Sequence, residues 1–401
     1  MKKYIALLLA LVMVFALAAC GSKQEAAPAG SEEAAAPVEA SGDVKVAMIT
    51  DYGDITDQSF NQTTYEACKA FCEKNAVDFK YYKPTDDSTA ARVEMIDQAI
   101  AEGYNVVVMP GYAFAGAIVE TQDLYPDVKF VALDVSEYDI FSSFYKDGDM
   151  DGELLDPSNE PHVSANVFSA VYQEELCGYM AGVAAVKLGY KQLGFLGGMA
   201  VPAVIRYGSG FVQGANAAAE ELGEDITINY VYGGQFYGDG DITAAMDTWY
   251  KGGTEVVFAC GGGIYQSACE AAEKVGGKVI GVDVDQAATI DGDYGEGMTV
   301  TSAMKGLAAT VDTLLGEIVA GNWKDYGGQI QNLGLVSGED PELNYVQIPM
   351  ESTQWSDSFT QDDYKALVAA MFAGDVEVSN DITALPEVGS HVTLNDQGQI
   401  K

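Results

Sequence analysis

Histidine is almost missing from this 401-residue chain: His162 and His391 are the only two. A pair of histidines at the one-turn spacing of a zinc protease cannot be written, and a nucleophile–His–carboxylate triad would have to draw on one of two loop residues. Basic residues are also scarce, with 21 Lys and Arg against 60 Asp and Glu and a formal charge of -39. A surface of that sign is repelled by phosphodiester backbones, so nucleic acid is excluded as a partner. After the first twenty residues no apolar run is long enough to cross a bilayer. Five cysteines follow Cys20 (Cys68, Cys72, Cys177, Cys260 and Cys269), and an odd number cannot all pair internally. Cys68 and Cys72 lie one helical turn apart, a spacing poorly suited to a disulfide, so buried free thiols are expected. A structural metal site would need close Cys pairs or added histidines, and no cofactor is indicated. Against these absences, 48% of the chain is hydrophobic, enough to fold despite the charge.

Residues 1–19 place two lysines before an apolar run that ends in Leu-Ala-Ala, directly ahead of Cys20. The run is short and has a basic start, as in an export signal. The small residues before Cys20 resemble a bacterial lipobox, which implies cleavage at residue 19 and lipidation of the Cys20 thiol. Residues 20–42 are mostly Ala, Glu, Pro, Ser and Gly and read as a flexible tether. The expected location is the extracytoplasmic face of the cell membrane, held by lipid.

From Val44 onward short β-branched runs alternate with helical segments. VKVAMIT, NVVVMP and VKFVALD read as buried strands of one series, and LGFLGG, EVVFAC and KVIGVD as strands of a second. Continuous apolar strands separated by helices predict parallel sheets covered on both faces, hence an α/β chain of two doubly wound lobes. MTVTSAMK and the helix after it read as a return to the first sheet, and residues beyond Trp323 as a return to the second. The expected lobes are therefore 43–163 with 286–322, and 164–285 with 323–401.

Ligands of open parallel sheets lie at the carboxyl ends of the strands, and the residues there are informative. The first strand is followed by Asp51 and then Ser59, Phe60 and Asn61; the third by Tyr112; the fourth ends in Asp134. In the second series Met199 precedes a segment holding Arg206, Tyr207 and Phe211, Cys260 precedes Gly261, Gly262 and Gly263, and the last strand ends in Asp283. Carboxylates, amides, aromatic rings and bare backbone suit a polyhydroxylated ligand with a flat ring. The triple glycine lacks the Lys-Ser/Thr that completes a phosphate loop. Asp147, Asp149 and Asp151 open like a calcium loop, but Ser158 stands where the bidentate Glu is needed, so they form a weak cation candidate at most.

The strings DQSFNQ, YPDVKFVALD, QEELCGYMAG, GFLGGMAVPAVIRYGSGF and GVDVDQ, in this order, resemble the basic-membrane-protein family of lipoproteins, the purine-nucleoside-receptor type of ABC-importer substrate-binding protein. The resemblance runs from about Val44 to Ser337. It implies a type I periplasmic-binding-protein fold, with two lobes joined by three crossovers and closing on a nucleoside, a monomer that catalyses nothing, and a permease with its ATPase subunits as partners. It further implies Phe60 as a stacking platform, Asn61 as a hydrogen-bonder, and Asp134 as the group reading donors on the base. Asp283 and Lys305 would hold the ribose, while the amides of Gly262 and Gly263 approach the ligand. Tyr207 and Phe211 both qualify for the second aromatic face, with Phe211 favoured; Asp51 either contacts ligand or orients its loop. A pocket for a sugar, riboflavin or another small solute is the alternative.

Overall fold

A computed structural model describes residues 44–400; the expected export signal, Cys20 and the whole of the expected tether lie outside the described residues. The first half of the chain reads β1 (Lys45–Ile49), α1 (Phe60–Asn75), β2 (Asp78–Tyr82), α2 (Thr89–Ala101), β3 (Val106–Pro110), α3 (Ala115–Thr121), β4 (Lys129–Leu133), α4 (Glu137–Ser142) and β5 (Val167–Tyr172). The same alternation follows in α5 (Glu174–Lys187), β6 (Gln192–Gly197), α6 (Pro202–Leu222), β7 (Ile226–Tyr232), α7 (Gly240–Lys251), β8 (Val256–Cys260), α8 (Tyr265–Glu273), β9 (Lys278–Asp283), α9 (Ala287–Tyr294) and β10 (Thr299–Lys305). The chain ends with α10 (Leu307–Val319), β11 (Gln329–Leu333), β12 (Val346–Gln347), α11 (Gln361–Ala373) and β13 (Val392–Gln399).

Two sheets result. The first has the order β11-β5-β4-β3-β1-β2 and the second β12-β10-β9-β8-β6-β7-β13. Without β13 the two orders correspond strand for strand, so one strand order is used twice, although β12 runs antiparallel to β10 where β11 runs parallel to β5. Val106 to Met109 of β3 and Val256 to Ala259 of β8 are fully buried, as strands covered on both faces must be.

The lobe boundaries differ from the expected ones. Strand β10 pairs in parallel with β9, so MTVTSAMK belongs to the second sheet; β11 pairs with β5 and belongs to the first. Strand β5, VFSAVY, is missing from the two series read above, although its β-branched and aromatic residues carry a strand signal. Helix α10 does return to the first lobe, where it packs on α1 and its Thr310 accepts a hydrogen bond from Tyr172 of β5. The chain therefore changes lobe between a strand and its following helix at Gln173 and at Gly306, and a third time between strands β11 and β12. Such a switch splits a βα pair that hydrophobic periodicity reads as one unit. The three crossovers lie side by side: the amide of Gln173 donates to Leu333, that of Gly306 to Tyr345, and that of Tyr345 to Gly334.

Helices α5 and α6 pack at backbone distance. Gly178 and Gly182 on α5 face the backbone of Tyr207 and Phe211, and Gly210 and Gly214 on α6 face that of Glu175 and Tyr179. A Cβ at Gly214 would overlap the Tyr179 carbonyl oxygen. This close approach carries the first turn of α5 to the second turn of α6, which matters for the site below. Gly214→Ala is expected to overpack this seam and cost about 1–3 kcal/mol of unfolding free energy in urea; an unchanged midpoint would mean that the helices separate freely.

Candidate functional site

Both sheets aim their carboxyl edges at the space between the lobes, and a cavity of ≈ 420 Å³ lies there. Asp134 and Asp283 enter it from equivalent places, directly after β4 and at the end of β9. Both adopt left-handed backbone, with φ of 60° and 65°. For a non-glycine residue that conformation costs of the order of 1–3 kcal/mol and persists where the surroundings impose it; here it turns a carboxylate out of each strand end into the cleft.

The first loop is shaped by two aspartates. Asp51 Oδ1 accepts the amides of Tyr52 and Gly53 at 2.7 and 2.8 Å, so this buried carboxylate holds the loop while also lining the cavity. Burial pushes its pKa up against the pull of those amides. Asp57 accepts the amides of Ser59, Asn61 and Gln62, each at 3.0 Å, and so satisfies the start of α1. Ser59 is thereby released from capping, and its hydroxyl donates to Asp283 Oδ2 at 2.6 Å across the cleft. Phe60 and Asn61 line the cavity, and Asn61 Oδ1 is buried with no hydrogen-bond partner. Asp57 also lines the cavity; its place three residues ahead of Phe60 was the sequence signal for its capping role.

Lys305, the last residue of β10, is buried among three carboxylates. It pairs with Asp134 of the first lobe, with Glu174 Oε1 at 3.5 Å and with Asp283 Oδ1 at 3.6 Å. Its ammonium lies 4.7 Å from the centre of the Phe60 ring. Burial alone would lower the lysine pKa, but the carboxylates, Asp134 first, outweigh it and hold the charge in place. Burial pushes the Asp134 carboxyl up despite the opposing ammonium, and its Oδ1 has no partner. Arg206 Nε donates to the far oxygen of Glu174 at 2.6 Å. Glu174 and Arg206 meet because of the glycine seam between their helices.

Two expectations for the second lobe are corrected. Phe211 does not reach the cavity: it is wholly buried beside Phe195 and Phe258, on the core side of α6. Tyr207, one turn earlier, does line the cavity, but only 2% of it is exposed and its hydroxyl is directed at Asp283 Oδ1, 3.3 Å away. In the second lobe the half-buried ring in the cavity wall is Phe236, in the loop after β7. Applying the strand-end rule to β7 would have found it. The glycines of the next loop serve this ring: a Cβ at Gly261 would meet Phe236 at 2.8 Å, and the amide of Gly263 donates to the Phe236 carbonyl at 2.9 Å. Gly262 and Gly263 line the cavity, but the Gly263 amide is committed to the protein.

Met199 lies outside the cavity wall and receives the hydroxyls of Tyr52 and Tyr112 on its sulfur at 3.6 and 3.9 Å; Tyr112 lines the cavity. With Ser59–Asp283, Asp134–Lys305 and the bonds from Gln286 and Thr289 to Gln58, these contacts hold the two lobes together on several sides. Asp147, Asp149 and Asp151 lie on an exposed turn, and among the described residues no three His, Cys, Asp or Glu converge to hold a metal. All five cysteines after Cys20 are buried and unpaired.

Residues 44–349 match the model of the Bmp family, described as ABC transporter substrate-binding protein, PnrA-like. The chain belongs to the Bmp family. The ABC transporter nucleoside-binding protein BmpA of Lactococcus lactis is 27% identical over 293 residues, 69% of this chain and 72% of that protein. The CD4+ T-cell-stimulating antigen of Listeria innocua is 26% identical over 360 residues, 83% of this chain and 90% of that protein. Among solved structures, an ABC transporter solute-binding protein of Conexibacter woesei has a TM-score of 0.62 at 22% identity, covering 84% of this chain and 99% of its own. The fold is that of the periplasmic-binding-protein type. This Bmp-family chain is a substrate-binding protein of an ABC transporter and not an enzyme.

Glu175, beside Glu174, provides a test of the buried charge. Burial foremost raises its carboxyl from an ordinary 4.5 to about 7, and its Oε2 has no hydrogen-bond partner. Between those values the folded protein holds a proton that the unfolded chain has released, so stability is highest at the acidic end of the window and falls as pH rises to about 7. Glu175→Gln is expected to flatten that fall and to be the more stable protein above the window. Urea unfolding across the range checks it; parallel curves for the two proteins would contradict this assignment.

Proposed function

We propose that this Bmp-family protein binds a purine nucleoside in the cleft and passes it to a membrane permease driven by ATPase subunits, acting as a monomer tethered through lipid on Cys20. One observation carries the ligand class: a single cavity is lined by an aromatic ring from each lobe, Phe60 and Phe236, together with the acids Asp134 and Asp283 and the cation Lys305. The nucleoside-binding name of the Lactococcus relative supports the same class.

In this reading the two rings receive the faces of the base, each stack contributing about 1–3 kcal/mol. Asn61 Oδ1 and Asp134 Oδ1, buried acceptors without partners, take N–H donors of the base. Asp283 and Lys305 take the ribose hydroxyls, and Asp51 keeps the first loop in register. Many of the contacts that close the cleft join one lobe to the other, so ligand shifts a population between open and closed lobes by adding contacts available only in the closed one. A leader ending at Cys20 and a tether free of large apolar side chains fit a binding protein held near its permease. Among the described residues no helix is long and apolar enough to cross a membrane.

Calorimetry on purified residues 43–401 with purine and pyrimidine nucleosides, free bases, ribose and riboflavin tests the ligand class. Purine nucleosides are expected to bind, and Phe60→Ala and Phe236→Ala each to weaken binding roughly 5- to 150-fold, the equivalent of one lost stack. Phe211→Ala is expected to cost about 3–5 kcal/mol of stability and leave the affinity of the folded protein nearly unchanged. Tighter binding of ribose or riboflavin than of any nucleoside would overturn the proposal.

A further inference from the structure

The cation in the cleft is held from two sides that differ in what happens when the lobes part. Asp134 follows β4 and travels with the first lobe, whereas Lys305 ends β10, Asp283 ends β9 and Glu174 opens α5, all in the second lobe. In the open protein Lys305 therefore loses its Asp134 partner and keeps Asp283 and Glu174. Asp283 in turn has its hydroxyl donors, Ser59 and Tyr207, on Oδ2 and Oδ1, and Ser59 leaves with the first lobe.

Glu174 is the fixed corner of this arrangement. It is wholly buried, its Oε2 is anchored by Arg206 Nε at 2.6 Å, and its Oε1 faces Lys305 Nζ at 3.5 Å. Its backbone stands directly after the first crossover, while Lys305 stands directly before the second, at Gly306. The glycine seam between α5 and α6 fixes the distance between Glu174 and Arg206 independently of the lobe angle. Glu174 is not in the cavity wall, so it acts through another residue.

We infer that Glu174, braced by Arg206, is a positioning residue that holds the Lys305 ammonium in its ligand-binding place while the cleft is open, so that the ribose hydroxyls meet a preset donor. This rests on the nucleoside reading of the cleft. Presetting a charged donor spares the ligand the cost of ordering a long side chain and lets its hydroxyls displace fewer protein contacts. The neighbouring carboxylate shows where the brace would go if Glu174 lost its charge. Glu175 Oε2 lies 3.9 Å from Arg206 Nε and has no hydrogen-bond partner, so Arg206 has a second acid within reach if Glu174 loses its charge, whereas Lys305 would keep only Asp283 in the open cleft.

The test compares inosine with 2′,3′-dideoxyinosine, which lacks the hydroxyls that Lys305 would meet. Glu174→Gln is expected to weaken inosine binding roughly ten- to a hundredfold, the scale of a lost hydrogen bond to a charged group, and to leave dideoxyinosine binding almost unchanged. In the Lys305→Met background, Glu174→Gln should add no further loss for inosine. A mere loosening of the fold would lower both affinities alike and would persist without Lys305, and that result would overturn the inference. If Glu174→Gln does not fold, Glu174→Asp withdraws the carboxylate from Lys305 by one methylene while keeping its charge and should give the same selective loss. Wild-type protein that binds no nucleoside would overturn the ligand reading and this inference together; wild-type binding with Glu174→Gln binding inosine equally well would overturn the inference alone.

Discussion

A lysine buried among three carboxylates, drawn from both lobes, is the interaction on which the rest of the structure depends. Taking such charges out of water costs several kcal/mol per ion unless their partners are well placed, and removing one partner leaves the others uncompensated. Lys305, Asp134, Glu174 and Asp283 meet these terms only because four separate strand or helix ends converge on one point. Two of those ends carry the left-handed aspartates, whose backbone strain is the local cost of aiming carboxylates into the cleft.

The crossovers make this convergence possible. Each lies at the carboxyl edge of a sheet, where the chain leaves a strand of one lobe and begins an element of the other. The groups next to a crossover are therefore close to the cleft and close to the hinge at once. Glu174 and Lys305 flank two of the three, and the glycine contacts of α5 and α6 bring Arg206 to the same place. Packing of bare backbone against backbone is thus connected, through one ion pair, to the chemistry of a cavity several side chains away. In the proposed reading, opening the lobes would take Asp134 away from Lys305 and so couple the lobe angle to the ligand.

Much of the fold was legible because hydrophobic periodicity reports how strands are covered, and strands such as NVVVMP and EVVFAC are covered on both faces. Membership of a sheet was less legible. MTVTSAMK looks the same whether it pairs with β9 or with a strand of the first lobe, since pairing is a relation between distant segments and both sheets offer an apolar edge. In the site, Asp134 and Asp283 were readable as acids at strand ends, whereas the choice among Phe211, Tyr207 and Phe236 was not. Residues on one helix differ by their angle around its axis, and which angle faces the cleft is set by the packing of α6 on α5. Phe236 is placed by a loop whose path follows the glycines of a neighbouring loop, a contact with no local sequence signature.

By itself the sequence determined the class of the protein: an acidic α/β chain, poor in histidine, with acids and aromatics gathered at the ends of its strands and a first segment that reads as an export signal ending in a lipobox-like motif. These properties follow from composition and from spacing along the chain, which local physics translates directly into helices, strands and termini. Only the tertiary structure decided which strands share a sheet, that Phe211 is core while Phe236 is wall, that Asp57 frees Ser59 for Asp283, and that Glu174 faces Lys305. Each of these is a contact between segments far apart in sequence, and its energy is defined only once packing has brought the partners within reach.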